Sequence, residues 1–130
     1  MTLIRNKDQV KQAIDFTGIQ NGVIHPTDID AVFEFDNEIL ILIEVKKRGS
    51  KIPTGQRLVL ERICEAWRTP KSIVLFVTHE FEETKDIPLQ DCYVEQYYTQ
   101  QTKWRKLKRN RLKNMLNFLG KQWDCPKLKL

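Results

Sequence analysis

This sequence predicts an α/β fold, a mixed central β-sheet flanked by helices, on three observations. Residues 39–45 are apolar and mostly β-branched except for Glu44, which favours a buried strand over a helix. Lys71–His79 holds a second continuous apolar run, as expected of an interior strand covered on both faces. Between them lies an amphipathic helical stretch, and a helix linking two buried strands implies a crossover that leaves those strands parallel. The expected order is helix, β-hairpin, helix, strand, followed by a basic helical segment.

The 130 residues, 41% hydrophobic and 30% charged, suit one domain over 1–130, with a core over about 5–99 and a basic segment over 100–130. No stretch approaches the ~18 apolar residues that cross a membrane. Met1–Arg5 lacks a signal-peptide profile, so a cytoplasmic protein without a membrane partner is expected. Cys64, Cys92 and Cys125 are odd in number and lack paired metal spacing, which indicates free thiols rather than a zinc site. The net charge of +5 hides a division. Residues 1–95 hold twelve Lys/Arg against sixteen Asp/Glu, whereas residues 96–130 hold ten against one. That asymmetry points to a C-terminal segment facing a polyanion, with a solvated surface helix as the simpler reading.

Taken in order, Asn6–Phe16 reads as a first helix with an apolar stripe of Val10, Ala13 and Ile14, ended at Gly18. Asn21-Gly22 marks a turn, and Pro26 biases His25 to an extended conformation, where it reads as a loop histidine. The run Ile29–Phe35, the turn Asp36-Asn37-Glu38 and the run from Ile39 read as a hairpin. A two-residue loop would put Asp30 opposite Ile43. A three-residue loop, with Asn37 or Glu38 left-handed, pairs Phe35 with Ile39 and Asp30 with Glu44. Only the second register leaves one face wholly apolar: Ala31, Phe33, Phe35, Ile39, Ile41, Ile43 and Val45. Asp30, Glu44 and Lys46 then converge at the open end of the hairpin, since strand side chains repeat every second residue.

Lys47–Pro53 is a basic loop whose Gly49-Ser50 pair and Lys47, Arg48 and Lys51 suit a phosphate backbone, or an ordinary solubilising loop. A helix follows from Pro53-Thr54 to about Arg68, with Thr54 as N-cap and Val59, Leu60, Ile63 and Trp67 as its buried stripe. Gln56 lies on the inward side of its first turn. His79 ends the next strand as a rim residue, and Phe81–Gln90 reads as a surface loop. Asp91–Thr99 suggests an edge strand with Tyr93, Tyr97 and Tyr98. Then come seven basic residues in eleven, Lys103 to Lys113, running into a helical stripe of Leu112, Met115, Leu116, Leu119 and Trp123. Lys103, Arg105, Lys106, Lys108, Arg109 and Lys113, interleaved with Trp104, suit nucleic acid. Trp104 equally suits a core anchor.

Asp30, thirteen intervening residues and Glu44-Val45-Lys46, set on a hairpin and followed by an amphipathic helix and a buried strand, resembles the core of the PD-(D/E)XK nuclease superfamily. Within it the chain looks most like small resolvase-like and phage-encoded endonucleases, and the likeness runs over about Asp28–His79. The resemblance implies a restriction-endonuclease-like core and Mg²⁺-dependent hydrolysis of DNA phosphodiester bonds, with Mn²⁺ substituting. Sequence specificity would be low, and branched or junction DNA is a candidate substrate. It implies Asp30, Glu44 and Lys46 as catalytic residues, Gln56 in support, and Asp30, Glu44 and the main-chain carbonyl of Val45 as metal ligands. Lys46 would orient or deprotonate water, or neutralise developing charge. Asp28 shares the parity of Asp30 and stays an alternative.

The likeness also admits a homodimer, through an apolar edge around Tyr97, and a phage-encoded protein acting in a host cytoplasm. One departure stands out: many relatives carry a glutamate in the first helix, whereas here the acids of that helix are Asp8 and Asp15 and no glutamate precedes Glu34. That departure, with the basic C-terminal segment, keeps open a catalytically inactive nuclease-fold module for nucleic-acid binding or assembly. An ion pair in an unrelated α/β fold is the third reading.

Overall fold

A computed structural model describes residues 14–130. Strand β1 (Ala31–Phe35) and strand β2 (Ile39–Lys47) form the hairpin, paired Phe35 to Ile39 and Ala31 to Ile43. Its loop is Asp36-Asn37-Glu38, with Asp36 and Asn37 left-handed at φ 53° and 63°. Asp and Asn tolerate that region better than most side chains. The hydrophobic pattern therefore sets the register, and Asp30 stands at the position opposite Glu44.

Helix α1 (Thr54–Ala66) crosses from β2 to β3 (Ser72–His79), and these two strands run parallel. Strands β4 (Tyr93–Thr99) and β5 (Lys103–Arg111) extend the sheet antiparallel, in the spatial order β1-β2-β3-β4-β5. Helix α2 (Leu112–Gln122) follows β5 without a break. The result is an α/β fold with a mixed five-stranded sheet and a helix on each face.

Alternation along the strands builds two cores. Ile39, Ile41 and Ile43 meet Ile73, Leu75 and Val77 under the apolar stripe of α2, Leu112, Met115, Leu116 and Leu119. Leu40, Leu42, Val74 and Tyr98 meet Leu60 and Cys64 of α1. Cys64, not only the aliphatic positions of the stripe, supplies that contact. The Trp67 indole N–H donates to the Glu38 carbonyl at 3.0 Å, tying the end of α1 to the hairpin loop. Cys64, Cys92 and Cys125 are free and buried. Among the described residues, no helix is long and apolar enough to cross a membrane.

Several expectations need correction. The basic run Lys103–Arg111 is a strand, not part of a helix. Trp104 and Leu107 are spaced as on a helix, but backbone pairing with β4 decides the conformation, and the helix begins only at Leu112. Basic side chains suit an edge strand because they oppose unwanted strand addition. Consequently β4 is interior rather than an edge, and Tyr97 lies between β3 and β5 instead of on a free apolar margin. Pro53, not Thr54, is the N-cap of α1, and no side-chain cap bond forms. His79 is buried rather than at a rim; its Nδ1 accepts from the Phe81 amide at 3.1 Å. Of the expected first helix, 6–16, residues 6–13 with Asp8, Val10 and Ala13 lie outside the described residues, and 14–16 are irregular.

Candidate active site

Strand β2 outruns its partner. Ala31, the first residue of β1, faces Ile43, while β2 continues to Lys47. The amides of Leu40 and Arg48 donate to Lys71 and His79 carbonyls on the β3 side, at 3.0 and 2.8 Å. By alternation, the odd-numbered residues of β2 turn their amides and carbonyls toward β1. Past the end of β1, the Val45 amide would lose its partner. Asp30 supplies one: its Oδ2 accepts from Val45 N at 2.7 Å. The Val45 carbonyl faces the same side.

Glu44 sits next to this contact and is 1% exposed. Lys46 Nζ lies 3.3 Å from Glu44 Oε1. Glu44 Oε2 is buried and has no hydrogen-bond partner among the described residues. A buried carboxylate oxygen left unpaired is costly. Burial pushes the Glu44 carboxyl up to about 7, the negative charge of Asp30 adds to the rise, and Lys46 opposes it. Two carboxylates and one ammonium thus converge on one sheet margin.

The remaining site residues divide. Gln56 donates from Nε2 to the Asp28 carbonyl at 3.4 Å and steadies the segment that leads into Asp30. Gln56 and Asp28 line a small cleft with His25, about 270 Å³ in volume. Asp28 itself is exposed and does not replace Asp30 in the contact with Val45. Asp15 spends its carboxylate on its own turn, accepting from the Thr17 amide at 2.9 Å.

Among the basic residues, Lys47 alternates to the face opposite Glu44, and Arg48 is ion-paired with Glu80 at 2.6 Å. Arg109 lies over the Tyr93 ring at 3.9 Å, with Glu95 at 3.8 Å. These groups gather where β2 and β3 end, the same end as Lys46. Lys106 is exposed and pairs with Gln96 in the register row that contains Glu44 and Phe76. Lys108 is exposed in the irregular part of β5. Lys103 lies three residues along β5 from that row and is ion-paired with Glu65 of α1. Arg105 pairs with Tyr97 and points to the α2 face, and Lys113 stands on the first turn of α2. Lys103, Arg105 and Lys113 are therefore not gathered with Asp30 and Glu44.

Three features escape a reading of sequence alone. Thr78 pairs with Lys46, is fully buried, and has an Oγ1 without a hydrogen-bond partner among the described residues. Its signal is a hydroxyl near the end of an apolar strand, at the parity of Phe76; Ser72, the other hydroxyl of β3, has hydrogen-bond partners. Next, a cleft of about 540 Å³ opens beside the Glu44 row, walled by Trp104 and Arg57, with Phe76 and Gln96 also lining it. Finally, Glu61 fixes that wall, accepting from the Trp104 indole at 2.8 Å and Arg57 at 3.1 Å. The last two depend on strand neighbours far apart in sequence.

Among the described residues, no cluster of three or more His, Cys, Asp and Glu side chains is arranged to hold a metal ion. The donors at hand are oxygens: Asp30, Glu44 with its unpartnered Oε2, and the Val45 carbonyl. Such a set suits Mg²⁺, which takes one or two carboxylates and completes its octahedron with water and substrate, rather than a closed zinc site. No protein-family model matches this chain, and neither a curated protein nor a solved structure matches it.

Proposed function

We propose that the protein is a Mg²⁺-dependent endonuclease with a restriction-endonuclease-like core, which hydrolyses DNA phosphodiester bonds. One observation carries this reading: Glu44 is buried with an unpartnered oxygen, beside Asp30 and 3.3 Å from Lys46. Asp30 satisfies the Val45 amide, but its charge also opposes ionisation of Glu44, so the two carboxylates together are costly without a cation. A divalent cation reverses that penalty.

Asp30, Glu44 and the Val45 carbonyl would hold the cation. When bound, it would supply Lewis-acid activation of water and of the phosphate. Asp30 Oδ2 accepts from the Val45 amide, which orients the carboxylate and leaves Oδ1 for the cation. Lys46 keeps a positive charge within reach of Glu44, where it offsets charge that develops on the phosphate oxygens as the P–O bond breaks. Gln56 acts as a positioning residue for the Asp28–Asp30 segment.

The reading is tested with purified protein and labelled duplex, single-stranded and four-way-junction DNA in Mg²⁺, Mn²⁺ or EDTA. Cutting should require metal, and Asp30→Asn or Lys46→Ala should each lower the rate at least a hundredfold, the scale of a lost electrostatic or acid–base contribution, ~10² or more. Binding without cutting on every substrate would favour the second reading, a nuclease-fold binding module. That reading draws on the small donor set, two carboxylates without a third acidic or imidazole ligand among the described residues.

A further inference from the structure

We infer that the cleft between β3, β5 and the start of α1 receives an unpaired nucleobase of the strand being cut, so that the substrate is a single strand or a duplex with unpaired nucleotides. The inference rests on the nuclease reading for its orientation, with Asp30 and Glu44 at the reacting phosphate.

Position is the first argument. Phe76 is the register partner of Glu44, and Gln96 is the partner of Phe76. With neighbouring strands ~4.8 Å apart, Phe76 on β3 stands about 5 Å from the Glu44 strand, Gln96 on β4 about 10 Å and the strand of Trp104 about 14 Å. Those distances suit a base one or two nucleotides from the scissile phosphate.

Chemistry is the second. Phe76, 5% exposed, and the Trp104 indole provide an aromatic lining. Trp104 is preorganised: its indole N–H is held by Glu61, and its ring packs on Tyr98 with centroids 5.4 Å apart. Gln96 and Glu95 bring an amide and a carboxylate, groups that hydrogen-bond base edges. Lys51 stands at the same cleft as a cation for a neighbouring phosphate, while Arg57 is held in the wall by Glu61. Aromatic walls with basic groups bind single strands, because every base has a face to stack.

Shape is the third. The cleft, about 540 Å³, is concave and lies under the Gly49–Ile52 loop. A base inside an intact duplex is stacked and paired, and reaching such a cleft requires extruding it at a cost of ~ a few kcal/mol. Unpaired nucleotides avoid that cost.

The test is fluorescence anisotropy in EDTA, which removes cleavage from the readout. The probes are a labelled single strand, the same strand with abasic residues, and a blunt duplex. The intact strand should bind about tenfold more tightly than the abasic strand, and Trp104→Ala should remove that advantage while leaving abasic binding unchanged. Gln96→Ala, at a half-buried position lining the cleft, should lower intact-strand binding alone. Equal binding of intact and abasic strands by the wild type would overturn the inference, whether or not Trp104→Ala folds. The two readings fail separately. Metal-dependent cutting of blunt duplex as fast as of single strands would sink the base cleft and keep the nuclease. Base-dependent binding without cutting would do the reverse.

Discussion

Glu44 is the residue on which the account turns, and its environment has a thermodynamic consequence. Its folded carboxyl titrates at about 7 against an ordinary 4.5, so between those values the folded state holds more protons than the unfolded chain. The stabilising contribution is fully present below about 4.5 and is lost as pH rises through about 7. In metal-free protein, Glu44→Gln should therefore leave stability nearly unchanged at pH ~4.5 and raise it at pH ~8, on the order of 3 kcal/mol from the size of the shift. Urea unfolding in EDTA at the two pH values checks this. A variant less stable than wild type at the higher pH would mean that Lys46 compensates Glu44 fully. At this scale Asp30, Glu44 and Lys46 were legible because all three lie on one hairpin, where parity and register follow from a few neighbouring residues. Thr78 was not, and Trp104 was legible only as a nucleic-acid or core residue, without its position in the cleft. Their place beside Lys46 and Phe76 depends on pairings that no local pattern encodes.

Among the elements, the hairpin, α1 and β3 followed from the order of apolar runs, whereas β5 did not. Its alternation is blurred by basic side chains on both faces, and the adjoining stripe from Leu112 extends a helical reading backwards into it. Pairing with β4 overrides that local preference. Helix α2 illustrates the same dominance of tertiary contact. Gly120 is buried beneath the C-terminal residues, and a Cβ there would stand 2.1 Å from the Leu128 carbonyl oxygen. Asn117 secures the same segment, accepting from the Leu130 amide at 2.7 Å. Gly→Ala inside a helix ordinarily gains ~1 kcal/mol from propensity. Here Gly120→Ala should instead destabilise by roughly 1–3 kcal/mol, the usual cost of overpacking. Thermal unfolding measures it, and a raised midpoint would show that residues 125–130 are readily displaced.

The molecule as a whole carries its charges unevenly, but the fold changes what that asymmetry means. Part of the positive charge in residues 96–130 is neutralised locally, as at Lys103 with Glu65 and Lys127 with Asp36. Lys51 at the cleft and Lys106 in the Glu44 row remain placed for phosphates. Each phosphate contact contributes ~0.9 to the slope of log affinity against log salt for duplex and ~0.7 for a single strand. Lys51→Ala and Lys106→Ala should each flatten the slope for single-stranded DNA by about that amount, and Lys103→Ala should not. Equal effects of all three would indicate a diffuse field rather than a defined path.

The most direct measurement is Mn²⁺ binding by calorimetry at neutral pH, on wild type, Asp30→Asn and Glu44→Gln without nucleic acid. Saturable binding by the wild type, abolished by both substitutions while all three proteins remain folded, is the expected result. Absence of saturable binding, or binding indifferent to Asp30 and Glu44, would contradict a cation site at this pair.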